Sequence, residues 1–284
     1  MAPAAPRPGR WGTPALLLDY GDTLVSFRRP DDALLRAHQE VARRLRAAGL
    51  GPVPPAATLL LEVHDRVEGV LARHQASDRL EEIDAVAEER RAYAALGLEL
   101  PDRLLDEVAT LVQRAWWEGV TVGTGTRETL RELRRRGLRL GLCSNAPYRP
   151  LSLRAQLDRL GLAGLFDSTT FSSEVGWRKP ARQIFAAALE ALGAEALSTT
   201  MVGDRRRADV AGARALGMVT IRVRQHADDA GPDDADAVVD RITDLVELLF
   251  PPQETDRRGS VVGDDTSLGP QRAGRKPDDG CRLP

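Results

Sequence analysis

Cysteine is scarce in this chain, with only Cys143 and Cys281 among 284 residues. One ends an apolar run and the other lies in a polar tail, so no disulfide framework is expected and a reducing cytoplasm is the expected setting. Net charge is nearly absent as well, at −2. A general nucleic-acid binder needs a basic face to displace counterions, so that class is excluded. Its two arginine runs have local explanations: Arg134–Arg136 closes a helix, where cations suit the dipole, and Arg205–Arg207 lies in a motif described below. No stretch approaches the ~18 apolar residues of a membrane span. The first ten residues lack the apolar core of a signal segment. No internal repeat is visible. What remains is ordinary for a packed soluble chain, 42% hydrophobic and 29% charged residues, enough for one large domain or a core with a smaller companion.

The patterning changes along the chain. From Asp31 to about Trp117 it is helical: Leu34, Val41 and Leu45 recur at helical intervals, and Gly49–Pro55 breaks the run. Further helices are expected over Ala56–His74, Arg79–Leu96 and Pro101–Trp117, with no strand between them. Such a segment forms a small helical bundle. Afterwards strand and helix alternate. Strands are expected over Leu138–Cys143, Ser168–Phe171, Thr199–Val202, Val219–Val223 and Ala237–Val239. Helices are expected over Arg127–Arg136, Leu151–Leu160, Ile184–Leu192, Asp209–Leu216 and Ile242–Leu249. Alternation of this kind implies right-handed crossovers and a parallel sheet. The expected organisation is therefore a disordered N-terminus (1–13), an α/β core (14–28 and 119–250), an inserted helical bundle (29–118) and a disordered tail (251–284).

Four segments carry chemistry. Leu16-Leu17-Leu18-Asp19-Tyr20-Gly21-Asp22-Thr23-Leu24 reads as a buried strand that ends in a carboxylate. An acid at that edge is costly unless it meets a cation or reacts, and ligands of open α/β sheets bind outside the carboxyl ends of the strands. Leu138–Asn145 is a second apolar run, ending in Ser144 and Asn145. Gly176-Trp177-Arg178-Lys179-Pro180 is a cationic loop ahead of a helix. Met201-Val202-Gly203-Asp204 is another strand ending in an acid, with Asp209 five residues on. Parallel strand ends converge, so Asp19, Ser144 and Asp204 can meet in one crevice. Paired carboxylates repel unless a cation joins them, and a hard divalent ion such as Mg²⁺ takes oxygen ligands. Cys143 reads as a small core residue rather than a nucleophile.

In order and spacing, these four segments resemble the motifs of the haloacid dehalogenase-like (HAD) hydrolases, over about residues 14–249. The resemblance implies a Rossmann-like, doubly wound parallel sheet with an inserted helical cap. It implies Asp19 as nucleophile, Ser144, Asn145 and Lys179 as phosphoryl-binding groups, and Asp19, the Gly21 carbonyl and Asp204 as Mg²⁺ ligands. Asp209 would act from behind them, on metal-bound water or on Lys179. A small phosphorylated molecule is the expected substrate, with no nucleic acid or membrane partner. One departure matters: phosphatases of the family usually carry a second aspartate, as acid and base, where this chain has Gly21. Asp22 is expected to brace the turn through its own backbone, its use as a displaced acid being the alternative. A 2-haloacid dehalogenase and a feebly active phospho-ligand or partner-binding protein remain open beside the phosphatase reading. Trp116 and Trp117 are expected at a hydrophobic hinge beside the glycine-bearing linker Gly119–Gly125, the alternative being a place at the entrance. Trp177, Arg178 and one arginine of Arg205–Arg207 are left between substrate contact and surface.

Overall fold

In the computed structural model, residues 12–224 and 234–252 are described; the disorder expected for the two termini lies almost wholly outside them. The first strand, β1 (Ala15–Leu18), is apolar and fully buried. A period of two explains why. Ala15 and Leu17 join one core with Cys143, Phe185 and Met201, whereas Leu16 and Leu18 join the opposite core with Leu140, Leu142, Val202 and Ile221. A strand covered on both faces has no polar side to alternate with.

In chain order, β1 leads to β2 (Val25–Phe27), α1 (Asp31–Ala47), α2 (Ala56–Leu59), a π-helical turn (Leu60–Asp65), α3 (Arg66–Gln75), α4 (Ala85–Ala94), α5 (Asp102–Trp116) and β3 (Val120–Val122). Then follow α6 (Thr126–Arg135), β4 (Arg139–Ser144), α7 (Pro150–Arg159), β5 (Ser168–Phe171), α8 (Ser172–Val175), α9 (Arg182–Leu192), β6 (Thr199–Gly203), a π-helical turn (Arg206–Ala211), α10 (Gly212–Arg214), β7 (Val219–Val223), β8 (Ala237–Val239) and α11 (Leu245–Leu249). The main sheet has six strands in the order β5-β4-β1-β6-β7-β8, all pairs parallel. The chain runs outward on one side of β1 and returns to build the other side. The fold is thus the α/β, Rossmann-like doubly wound sheet expected. Its switch point lies at β1, where the crevice of such sheets opens.

The helices α1–α5 bury a core of their own, including Val41, Leu45, Val63, Leu71, Tyr93, Leu105 and Val108. Chain entry and exit run through an antiparallel pair not foreseen from sequence: Val25 opposes Val122 and Phe27 opposes Val120. Three-residue strands are too short to leave an alternation signal. Gly119 sits where they meet, because a Cβ there would lie 1.9 Å from the Arg28 carbonyl oxygen. Several expected helices are shorter or differently wound: a π-helical turn (Leu60–Asp65) interrupts Ala56–His74, and Ile242–Leu249 opens with a 3-10 turn (Ile242–Asp244) before α11. Residues 79–84 are not helical; Arg178 N–H donates to the Leu80 carbonyl and Glu82 N–H to the Gly176 carbonyl. The segment after Asp204 takes the π-helical turn before a short α10, where one helix over Asp209–Leu216 was expected.

Candidate active site at the carboxyl edge of the sheet

Asp19 follows β1, and its backbone N–H still donates to the Val202 carbonyl of β6 at 2.9 Å. That bond holds the acid in line with the neighbouring strand end, which carries Asp204. Ser144 closes β4 on the other side. Lys179 comes from the loop before α9 and is 2% exposed. Its Nζ donates to Asp19 Oδ1 at 2.6 Å, Asp209 Oδ1 at 2.6 Å and the Cys143 carbonyl at 2.8 Å. All three protons of the ammonium are used. Burial alone would lower the Lys179 pKa, yet Asp19 and Asp209 hold it above its ordinary value. Asp19, Gly21, Ser144, Asn145, Lys179, Asp204 and Asp209 therefore line one cavity.

Asn145 has a use the sequence did not reveal. Its side chain receives the Lys179 N–H at 2.7 Å and donates to the Lys179 carbonyl at 3.1 Å, clamping the lysine's backbone as a strand partner would. Thr23 was also missed. Its hydroxyl stands 3.2 Å from Asp19 Oδ2 and 3.4 Å from Asp204 Oδ1, four residues past Asp19 in the same tight turn. Gly203 allows Asp209 to approach, since a Cβ there would fall 2.3 Å from the Asp209 carboxyl.

Ligand atoms of Asp19, Asp204 and Asp209 lie within 4.8 Å of one another, all buried. Asp209 is fully engaged, one oxygen on Lys179 and the other accepting the Arg205 N–H at 2.9 Å. Asp204 is not: its Oδ2 has Arg205 Nε 2.9 Å away in an ion pair but no hydrogen bond, although the side chain is 1% exposed. Burial, with Asp19 and Asp209 alongside, pushes the Asp204 carboxyl up to about 8. Three acids against Lys179 and an exposed Arg205, which Asp22 also shares, leave surplus negative charge in a dry place. Hard oxygen donors with an unsatisfied buried carboxylate among them fit a divalent cation.

Around the site, Asp22 departs from expectation. Asp22 takes a left-handed backbone (φ 58°), which Asp tolerates. Its side chain pairs with Arg205 at 3.1 Å instead of bonding its own turn. Arg207 pairs with Asp78 of the helical insert. Arg178 donates to the His74 and Gln75 carbonyls at the end of α3, at 2.8 and 3.0 Å, so it is committed to a helix C-terminus. Trp177 lies opposite Glu81 in an isolated bridge. Trp116 and Trp117 both line the cavity, rather than only packing at a hinge. Cys143 is buried, its thiol raised to about 12 by burial, as befits a core residue.

Residues 13–217 match the family model of the haloacid dehalogenase-like hydrolases. The chain belongs to that family. It is similar to glyceraldehyde 3-phosphate phosphatase of Methanothermobacter thermautotrophicus, 35% identical over 44% of this chain and 57% of that one. It is also similar to phosphoglycolate phosphatase of Rhodospirillum rubrum, 34% identical over 60% and 74%. The match spans little more than half the length of the first of these. Among solved structures, a 2-haloacid dehalogenase from Pseudomonas syringae pv. tomato is similar at TM-score 0.59 and 23% identity, over 83% of this chain and 97% of that one. A HAD phosphatase from Thermococcus onnurineus is similar at 0.53 and 22%, over 82% and 96%. At such identities the likeness is one of fold, shared by both chemistries. Among the described residues, no helix of this HAD-like hydrolase is long and apolar enough to cross a membrane.

Proposed function

We propose that this HAD-like hydrolase removes phosphate from a small phosphorylated metabolite, with Asp19 as nucleophile and Mg²⁺ as the divalent ion. One observation carries the reading. The Asp19 carboxylate is fixed by a fully bonded, buried lysine in the lining of a large cavity, beside a second acid whose Oδ2 has an ion-pair partner in Arg205 but no hydrogen bond. Asp19, the Gly21 carbonyl and Asp204 would hold the ion, with Asp209 positioned behind them by Lys179 and Arg205. When bound, Mg²⁺ supplies Lewis-acid charge that offsets the negative phosphoryl oxygens.

The chain's own groups do the rest. Asp19 attacks phosphorus, the bond to the leaving oxygen breaks, and an aspartyl-phosphate forms. Lys179 holds Asp19 in place and counters charge on the transferring group, while the Ser144 hydroxyl and the Asn145 main chain donate to its oxygens. Water then attacks the aspartyl-phosphate and releases phosphate. No carboxyl stands two residues after Asp19 to protonate the leaving oxygen. Phe27 fills the space into which such a side chain would project, its ring 3.0 Å from where a Gly21 Cβ would lie. Esters whose leaving group departs without a proton, such as aryl and acyl phosphates, are therefore favoured. The helical insert acts as the cap that covers the site.

Phosphate release from a panel of phosphorylated metabolites, with and without Mg²⁺, tests this reading alongside chloride release from chloroacetate. Phosphate release that needs Mg²⁺ supports it. Metal-independent chloride release would assign the chain to dehalogenation, and neither activity would leave a binding protein.

A further inference from the structure

The cavity above Asp19 has a volume of about 760 Å³, far more than a phosphoryl group needs and within the range of whole-ligand sites. One of its walls comes from α7, which contributes Ser152, Leu153 and Gln156. Ser152 and Gln156 stand one helical turn apart, on the same face of α7, and are 8% and 5% exposed. An amide so deeply buried is costly unless both of its ends are paired. Only one end is. The Tyr20 hydroxyl donates to Gln156 Oε1 at 2.8 Å, whereas among the described residues no hydrogen bond engages Nε2. The described residues hold eight unpaired side-chain atoms closed to solvent, both amide atoms of Gln113 among them, and Gln156 Nε2 is not one of these. Unpaired yet reachable by solvent, in a residue of the cavity wall, Nε2 opens onto the cavity.

Tyr20 fixes the orientation of this amide. It is 4% exposed, and burial raises its phenol, which keeps its proton. Among the described residues that proton has no acceptor other than Gln156 Oε1, so turning the amide over would strand it. Tyr20 is itself held: its carbonyl accepts from the Leu24 and Val25 N–H groups at 2.9 and 3.2 Å, and its ring packs edge-on against Phe27. The amide therefore presents N–H donors to the cavity, and no acceptor. Tyr20 and Leu157 of α7 belong to one core of the sheet, whereas Ile184 and Phe185 of α9, which follow the Lys179 loop, belong to the other. Gln156 and Lys179 thus address an occupant from opposite flanks.

We propose that Gln156 is a specificity-determining residue, its Nε2 donating to an acceptor oxygen on the organic part of the substrate. A hydroxyl, a carbonyl and a carboxylate share that chemistry, and a charged acceptor binds the donor more strongly than a neutral one. A plain alkyl chain displaces the water that otherwise serves the amide and offers no oxygen in its place. The inference rests on the phosphatase reading for its link to turnover, but not for binding.

The test measures kcat/KM with Mg²⁺ for propyl phosphate, glycerol 3-phosphate and 3-phosphoglycerate, and for pentyl phosphate and ribitol 5-phosphate. It does so in wild type, Gln156→Met and the double variant Tyr20→Phe/Gln156→Met. In wild type, at least one oxygenated ester is expected to exceed the alkyl ester of its length about tenfold. Comparing glycerol 3-phosphate with 3-phosphoglycerate tells a hydroxyl acceptor from a carboxylate. Gln156→Met keeps the length of the side chain and removes the donor, and is expected to bring that ratio close to one, chiefly through KM. The single change strands the Tyr20 hydroxyl, whereas the double variant removes both partners and is close to neutral for the fold, so it answers if Gln156→Met fails to fold. No preference over the alkyl esters in wild type, or a preference that survives loss of the amide, overturns the contact. Calorimetric binding of the same esters to Asp19→Asn separates the two readings. Selective binding without hydrolysis by wild type sinks the phosphatase and keeps the contact, whereas hydrolysis without selectivity sinks the contact alone. Binding of none of these esters overturns the contact as well.

Discussion

The two ends of the cavity handle buried polarity in opposite ways. At the sheet edge, Lys179 spends every proton on Asp19, Asp209 and the Cys143 carbonyl. At the insert end, His64, Gln113 and Trp116 leave four polar atoms without partners. On the phosphatase reading, the first end can be completed in advance, because its occupant, a phosphoryl group, is always the same. The insert end instead carries the cost of burying polar atoms without partners. Preorganisation belongs to the first end alone.

The largest test of this contrast is Lys179→Met. It removes the cation from between two buried acids, and breaking a buried ion pair costs about 3–5 kcal/mol. Loss of one positioned electrostatic group costs about 10²–10³-fold in turnover. The expected outcome is a protein measurably less stable in denaturant and with phosphate release reduced by that factor or more. Wild-type stability would show that the lysine is held loosely, and the contrast between the ends would fall.

The opposite end yields a smaller, pH-dependent effect. Burial lowers the His64 pKa from 6.5 to about 4. The unfolded chain therefore binds a proton that the folded chain refuses between those values, so stability is intact above pH 6.5 and is lost as pH falls towards 4. A shift of that size corresponds to about 3 kcal/mol by pH 4. Chemical denaturation of wild type and His64→Leu across pH 4–7 reads it directly. The wild type should lose about 3 kcal/mol more than the variant over this window. Parallel curves would mean that His64 is hydrated rather than buried as the fold places it.

The same contrast explains what the sequence made legible. Asp19, Ser144, Lys179 and Asp204 stand at strand ends and on a loop, where apolar runs stop abruptly at polar residues, and a parallel sheet must bring such ends together. The strands themselves were legible because burial on both faces makes them uninterrupted apolar runs. Thr23 and Asn145 were not recognised as anchors, since a hydroxyl or amide in a turn looks the same whether it caps the chain or clamps a neighbour. The insert wall was illegible for a different reason. His64 and Gln113 sit on helices whose polar residues mostly face solvent, and only tertiary packing separates those few from the many. Arg178 was left open between substrate contact and surface, because only the packing shows that its guanidinium closes the end of α3.

Gly21→Asp gives the smallest expected effect and lies between the two ends. It restores a carboxyl two residues after Asp19, where it can protonate a leaving oxygen, a contribution of about 10²–10⁴-fold when fully developed. Here the gain is expected nearer the bottom of that range. The new Cβ would stand 3.0 Å from the Phe27 ring, which must swing aside and give up its edge-on packing against Tyr20, now at 6.0 Å between centroids. Phe27 is 47% exposed, so solvent offers it room to move. Alkyl phosphates, whose alkoxide leaves poorly without a proton, should gain more than p-nitrophenyl phosphate, whose phenolate leaves unaided. Comparing kcat on the two esters in wild type and variant measures this. Equal gains would mean that protonation of the leaving group does not limit the native enzyme, and that Phe27 and the wall behind it, rather than the missing acid, set which esters it turns over.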